Sequence, residues 1–197
     1  QPIAEIVGPV SLLTPKLWRL ARTVADRAGG SASDILRLAI PQRMVRAEKQ
    51  HLAAREATQQ GPGGGASTKP AESGETPVPA FVPSDVEHET TELLLRGDRL
   101  AVTASHGPER LGTGEWVGGW AVRLARAALD VFAQGRSVIL VAPDYRDVDQ
   151  LADTLASLGH GDVVRVDSRQ PGSARYASFL RALDDTPRIV LGNRSAI

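Results

Sequence analysis

Gly192, Asn193, Arg194 and Ser195 together have the donor chemistry of a phosphate-binding turn. Arg194 offers a planar fork of N–H groups, Asn193 and Ser195 add neutral donors, and Gly192 lets a chain approach closely. They end an apolar run, Arg188–Gly192 (RIVLG). A second run, Ser137–Ala142 (SVILVA), likewise ends in a polar turn at Pro143 and Asp144. Runs of Val, Ile and Leu suit parallel strands buried on both faces. In open α/β sheets the loops at the carboxyl ends of such strands carry the binding site. Asp144 and Asp147 also have a local role, since one can cap the next helix and the other favours its positive end. The same turn, with Tyr145 and Arg146, is placed to touch a partner. Arg194 and Ser195 fit ordinary loop chemistry equally well.

A third loop bears on energy-coupled chemistry. Ser105–Trp116 (SHGPERLGTGEW) follows an expected strand at Arg99–Ala104, where a nucleotide-hydrolysing fold would place its phosphate loop. Such a loop needs glycines for a backbone cradle, a lysine for the terminal phosphates and a Ser or Thr for Mg²⁺. Gly107, Gly112, Thr113 and Gly114 supply part of this. The Gly-Lys-Thr end is missing, no lysine follows Lys69, and Glu109 and Glu115 bring negative charge. The loop therefore reads as a degraded phosphate loop, and no catalytic residue is assigned. Gly112, Gly114 and Gly118 with Asp144 also have the order of a dinucleotide fingerprint, which would make the protein an NAD(P)-dependent oxidoreductase. A surface loop without a small-molecule ligand is the third reading.

Composition narrows the field. The 197 residues contain no cysteine, so there is no disulfide framework and no thiolate metal site. His51, His88, His106 and His160 have no ligand spacing, and no metal site is expected. No stretch approaches the roughly 18 apolar residues of a membrane span, and no signal peptide is visible. A cytoplasmic protein fits these features. The chain opens on Gln1 and stops at Ile197 after a strand and a polar turn, which reads as an internal piece of a longer protein. Net charge is zero but unevenly spread. Residues 1–57 carry nine basic and five acidic side chains, residues 85–197 carry 13 and 16. A basic first module is suited to nucleic acid, although a plain solvated surface has the same look.

Three regions must position these residues. In residues 1–57, Ile3–Val7 fits a short strand, and Thr14 and Pro15 open a helix that Gly29 and Gly30 stop. Ser33 is the expected cap of a second helix ending before Pro41, and Arg43–Gln59 fits a solvated helix. Residues 58–84 hold ten Gly or Pro residues and few large apolar groups, so a disordered linker is expected. Residues 85–197 alternate helix and strand. Strands are expected near Arg99–Ala104, Ser137–Ala142, Asp162–Asp167 and Arg188–Gly192, with helices near Glu87–Leu95, Gly119–Ala133, Arg146–Leu158 and Ser173–Leu183. That order implies a parallel, doubly wound α/β sheet with right-handed crossovers.

Three segments resemble the primosomal protein N′ (PriA) family of high-GC Gram-positive bacteria. They are Leu13–Pro41, Gln134–Asp144 (QGRSVILVAPD) and Arg188–Ala196 (RIVLGNRSA). In the first, Arg27 and Ala28 stand where the family has tyrosines after the aspartate. In the others Asp144 replaces Glu and Asn193 replaces Thr. The resemblance implies a RecA-like lobe of superfamily 2 helicase type at 85–197, preceded at 1–57 by the helical end of an N-terminal DNA-binding domain. It also implies that Pro143, Asp144, Arg146, Gly192, Asn193, Arg194 and Ser195 face single-stranded or forked DNA. Recognition of abandoned replication forks and loading of the replicative helicase, with primosome proteins as partners, would follow. ATP with Mg²⁺ and zinc would be held by residues outside this chain, and the degraded loop argues against helicase activity. An ATP-dependent 3′–5′ DNA helicase of the primosome is the alternative.

Overall fold

The computed structural model describes residues 8, 10–59, 85–104 and 106–193. The expected strand at Ile3–Val7 and nearly all of the expected linker lie outside the described residues.

Helix α1 spans Pro15–Ala28. The Thr14 hydroxyl accepts from the Leu17 N–H, Pro15 sits where a helical N–H has no partner, and Gly29 closes the helix at φ 65°. Helix α2 spans Ala32–Ala39, and its cap is Ser31 rather than Ser33. Ser31 Oγ accepts the Asp34 N–H and donates to the Asp34 carboxylate, a reciprocal arrangement that Ser33, one turn position too late, does not make. Ala21 and Ala25 of α1 pack against Ala32, Ile35 and Leu36 of α2.

Helix α3 spans Val45–Gln59 and corrects the expectation of a solvated helix. Ala47 and Glu48 are buried, because α3 lies against the helix Gly172–Ala182 of the sheet region. After the undescribed stretch, α4 (Asp85–Arg96) packs on α5 (Gly119–Ala133), with the Thr91 hydroxyl 3.4 Å from Asp130.

No strand forms at Arg99–Ala104. Leu100 and Val102 are exposed and the segment has no ladder partner. Strand-like composition makes a strand only where a neighbour accepts its backbone hydrogen bonds. Instead a small antiparallel hairpin, β1 (Pro108–Arg110) and β2 (Trp116–Gly118), leads straight into α5.

The main sheet has three parallel strands. These are β3 (Val138–Val141), β4 (Val164–Val166) and β5 (Ile189–Gly192), in the order β3-β5-β4. Helix α6 (Tyr145–Ser157) joins β3 to β4, and α7 (Gly172–Ala182) joins β4 back to β5. These crossovers run in opposite directions, so their common right hand puts α6 and α7 on opposite faces, the doubly wound arrangement expected. On one face Leu140, Ile189 and Leu191 pack with Ala121 and Ala125 of α5 and with Val148, Leu151 and Leu155 of α6. On the other, Val164, Val166 and Val190 form a second cluster, while Ile139 and Val141 remain exposed.

Two contacts tie α3 to α7. Ala47 packs with Tyr176 and Leu180, together with Val10, Leu12 and Met44. The Tyr176 hydroxyl donates to Glu48 at 3.1 Å, and Arg43 grips the same carboxylate at 2.7 and 3.0 Å.

Candidate nucleic-acid interface

Parallel pairing sets the site. Val141 and Val166 both stand in register with Gly192, so the three strands end on one edge and their loops are neighbours. The first loop leaves β3 through Ala142, whose N–H bonds the Gly192 carbonyl at 2.9 Å. Pro143 follows, and Asp144 caps α6 by accepting the Arg146 N–H at 2.8 Å. The carboxylate of Asp144 is thus committed to the helix end, with Asp147 beside it in the first turn. Arg146 turns its Nε to the Tyr145 hydroxyl at 3.2 Å.

The second loop, after β4, was not singled out from the sequence. Asp167 is almost fully buried there. It accepts from Arg165 Nε at 2.5 Å and from the Arg169 N–H at 2.9 Å. Burial pushes the Asp167 carboxyl upward, but these donors outweigh it and hold the group below the usual carboxylate range. Burial likewise works against the Arg165 charge, and its bonds to Asp167 and Asp149 outweigh that too. The fixed loop aims Arg169 across the edge. Its guanidinium lies 4.3 Å from the centre of the Tyr145 ring and reaches Asp149 at 3.1 Å. Asn193, after β5, donates to Ser168 Oγ at 3.3 Å and so bridges the second and third loops. Arg194 and Ser195 lie outside the described residues.

The structure therefore brings Pro143, Asp144, Tyr145, Arg146, Gly192 and Asn193 to one edge and adds Ser168 and Arg169. A signal for the additions existed. Asp167-Ser168-Arg169 pairs a hydroxyl with an arginine at a strand's carboxyl end, as Arg194-Ser195 does. Among the described residues the edge is not basic. Arg146, Arg165 and Arg169 face Asp144, Asp147, Asp149 and Asp167.

The glycine-rich loop does not follow a parallel strand as expected. Gly107, Gly112, Thr113 and Gly114 belong to the hairpin, not to a turn between a parallel strand and a helix. A phosphate cradle needs backbone N–H groups free and convergent. Here the Leu111 N–H bonds Glu115 O, the Gly114 N–H bonds Leu111 O, and the Gly119 N–H bonds Gly107 O. The Gly118 N–H is taken by Gln150 at 2.9 Å. Gly114 stands at φ 94°, the backbone state a turn of this kind assigns to glycine. The same geometry denies Gly112, Gly114 and Gly118 the strand–turn–helix of a dinucleotide fingerprint.

A second concavity, an open cleft of about 550 Å³, lies between α3 and α7 at the other end of β5. Asp184 gathers His51, Arg55 and Arg188 there, at 3.4, 3.6 and 3.4 Å. Among the described residues no cluster of His, Cys, Asp and Glu is set to hold a metal ion, and no helix is long and apolar enough to cross a membrane.

Comparison with known proteins accounts for nearly the whole chain. It is 30% identical over 198 residues to the probable replication restart protein PriA of Mycobacterium tuberculosis, a match covering 98% of this chain and 26% of that protein. The chain is thus similar to a PriA protein along nearly its whole length. The probable replication restart protein PriA of Mycobacterium leprae is 27% identical over 196 residues, again 98% of this chain and 27% of the relative. The chain thus spans about a quarter of the length of the PriA proteins it matches. No family model matches it, and no solved structure does. The PriA match runs from the helical hairpin through α3 to the sheet, in keeping with the three resembling segments.

Proposed function

We propose that the chain is the part of a replication restart protein that binds forked or single-stranded DNA, works with primosome and helicase-loading proteins in the cytoplasm, and neither hydrolyses ATP nor unwinds DNA. The observation that carries this reading is similarity to PriA along nearly the full chain. The strand-end loops support it. Tyr145 offers an aromatic face, Arg146 and Arg169 flank that face, and Asn193 adds an amide. Stacking on such a ring is tolerant of base identity, as fork binding requires. The hairpin supports the second half of the reading, since the Leu111, Gly114 and Gly119 N–H groups bond backbone carbonyls and the Gly118 N–H bonds Gln150.

Two results test it on the full protein. Arg194→Ala is expected to weaken binding about equally across DNA sequences and to lower the salt slope by roughly one unit, as loss of a phosphate contact does. A normally folded variant with unchanged affinity and slope would take Arg194 out of the interface. ATP turnover on fork DNA with Mg²⁺ is expected to match a no-enzyme control. Clear turnover would favour the primosomal helicase instead.

A further inference from the structure

Arg169 combines a fixed backbone with an accessible side chain. Its N–H donates to Asp167 at 2.9 Å, and Asp167 is buried and held in turn by Arg165. The guanidinium itself is half exposed, against the Tyr145 ring. Its acidic partner is Asp149, and the fit is poor. A single nitrogen, Nη2, spans both carboxylate oxygens at 3.2 and 3.1 Å. Charge-assisted bonds of this kind settle at about 2.7–2.9 Å, and the strong arginine arrangement sets two nitrogens side by side. Nε and Nη1 of Arg169 make no hydrogen bond among the described residues. Asp149 is held more closely from its other side, where Arg165 Nη2 lies 2.6 Å away. Loss of Arg169 would leave Asp149 with that counter-charge. Both members of the Arg169–Asp149 pair are well exposed, so water screens their attraction and exchange costs little. Ser168, next in the chain and exposed, accepts the Asn193 amide at 3.3 Å and keeps its own hydrogen to donate.

We propose that Asp149 stands in for a phosphate on Arg169. In the free protein it parks the guanidinium beside Tyr145, and a backbone phosphate of bound DNA replaces it. The phosphate takes two guanidinium nitrogens, with the Ser168 hydroxyl as a neighbouring donor. The proposal rests on the reading that the protein binds DNA, and it makes Asp149 a built-in competitor at the strand-end edge. Only the side chain exchanges, because Asp167 keeps the Arg169 backbone in place. A lone phosphate must displace Asp149 with nothing further gained. A nucleic-acid chain also brings a base to the Tyr145 ring, so the competitor selects for the chain over the free anion.

Forked DNA is titrated at several salt concentrations onto the full chain, Asp149→Asn, Arg169→Gln and the double variant. Asp149→Asn keeps the shape of the side chain and removes its charge. It is expected to tighten binding roughly twofold to fivefold, the scale of an exposed ion pair, and to steepen the salt slope by up to about 0.9. Arg169→Gln should cancel that gain, so that the double variant binds no tighter than Arg169→Gln alone. An equal gain in both backgrounds would show that Asp149 merely repels DNA at a distance, and would overturn the proposal. Unchanged affinity in a folded Asp149→Asn protein would overturn it too. Since Asp149→Asn also takes a partner from Arg165, a second measurement uses the parent. The NMR signal of the Arg169 Nε–H, assigned by its loss in Arg169→Gln, should move when forked DNA is added. A signal that stays fixed at saturation would overturn the exchange. Millimolar inorganic phosphate at constant ionic strength should leave the signal in place. The same movement with phosphate would assign the site to the free anion instead. A parent protein that fails to bind forked DNA would overturn the broader reading, whereas one that binds without responding to Asp149→Asn would overturn the exchange alone.

Discussion

Tyr176→Ala is expected to remove about 3–5 kcal/mol of folding stability. Tyr176 is fully buried, and its ring is the centre of the cluster that joins α3 to α7. Truncation opens a cavity beside Leu180 and Ala47 and strips Glu48 of one of its donors. For a chain of this size the melting temperature should fall by roughly 2–4 °C for each kcal/mol lost. Tyr176→Phe separates the two contributions. It keeps the ring and removes only the hydroxyl, so about 1–2 kcal/mol is expected. Urea unfolding of both variants checks this. A loss below 1 kcal/mol for the alanine variant would mean that α3 does not rest on α7 in solution.

Acidification should weaken the fold more steeply than neutral-pH behaviour suggests. The Arg43 bonds hold the Glu48 carboxyl below its usual range against the opposing effect of burial, with the Tyr176 hydroxyl helping. Asp167 is held low by Arg165 and Arg169 despite its burial. A carboxyl whose folded pKa is depressed adds stability that is complete above its unfolded value and is lost as pH falls through the folded one. Stability should therefore be level above about pH 5 and decline steadily below roughly pH 4.5. Asp162, also held low, by Arg181, is largely exposed and contributes little. Glu48→Gln should flatten the acid limb of a stability–pH curve. A slope identical to the parent's would remove Glu48 as a source. On the alkaline side, burial and the neighbouring Glu48 raise the Tyr176 pKa, so its contribution is lost above about pH 10.

The strands of the main sheet were legible because Val, Ile and Leu runs bounded by Pro, Asp and Gly leave few other structures open. The bounds of α5 were legible for a similar reason, with Gly118 and Gly135 near its ends. Four features were not. Arg99–Ala104 has the composition of a strand, but pairing is decided by a neighbour that local sequence does not reveal. The hairpin strands are three residues each, and Pro108-Glu109-Arg110 shows no apolar alternation. Helix α3 looked solvated because its buried face is built from Ala47 and Glu48, one small and one charged, and Glu48 is satisfied by Tyr176, 128 residues further along. At the candidate site the two strand-end loops with obvious apolar approaches were found, but Arg169 was missed because β4 has the charged Arg165 at its middle.

The order of strands has a consequence for how the chain acquires its shape. Among the described residues β5 alone touches both other strands of the sheet, and it follows them in the chain, so the two ladders that join β3 and β4 to it cannot form until residue 192 has been made. Up to that moment the strand edges that β5 covers are bare, and α5 and α6 lack their contacts with Ile189 and Leu191. Assembly of the sheet is therefore a late, concerted event rather than a gradual accretion from the amino end. Its rate should respond most to β5, where a substitution such as Leu191→Ala reaches both ladders at once.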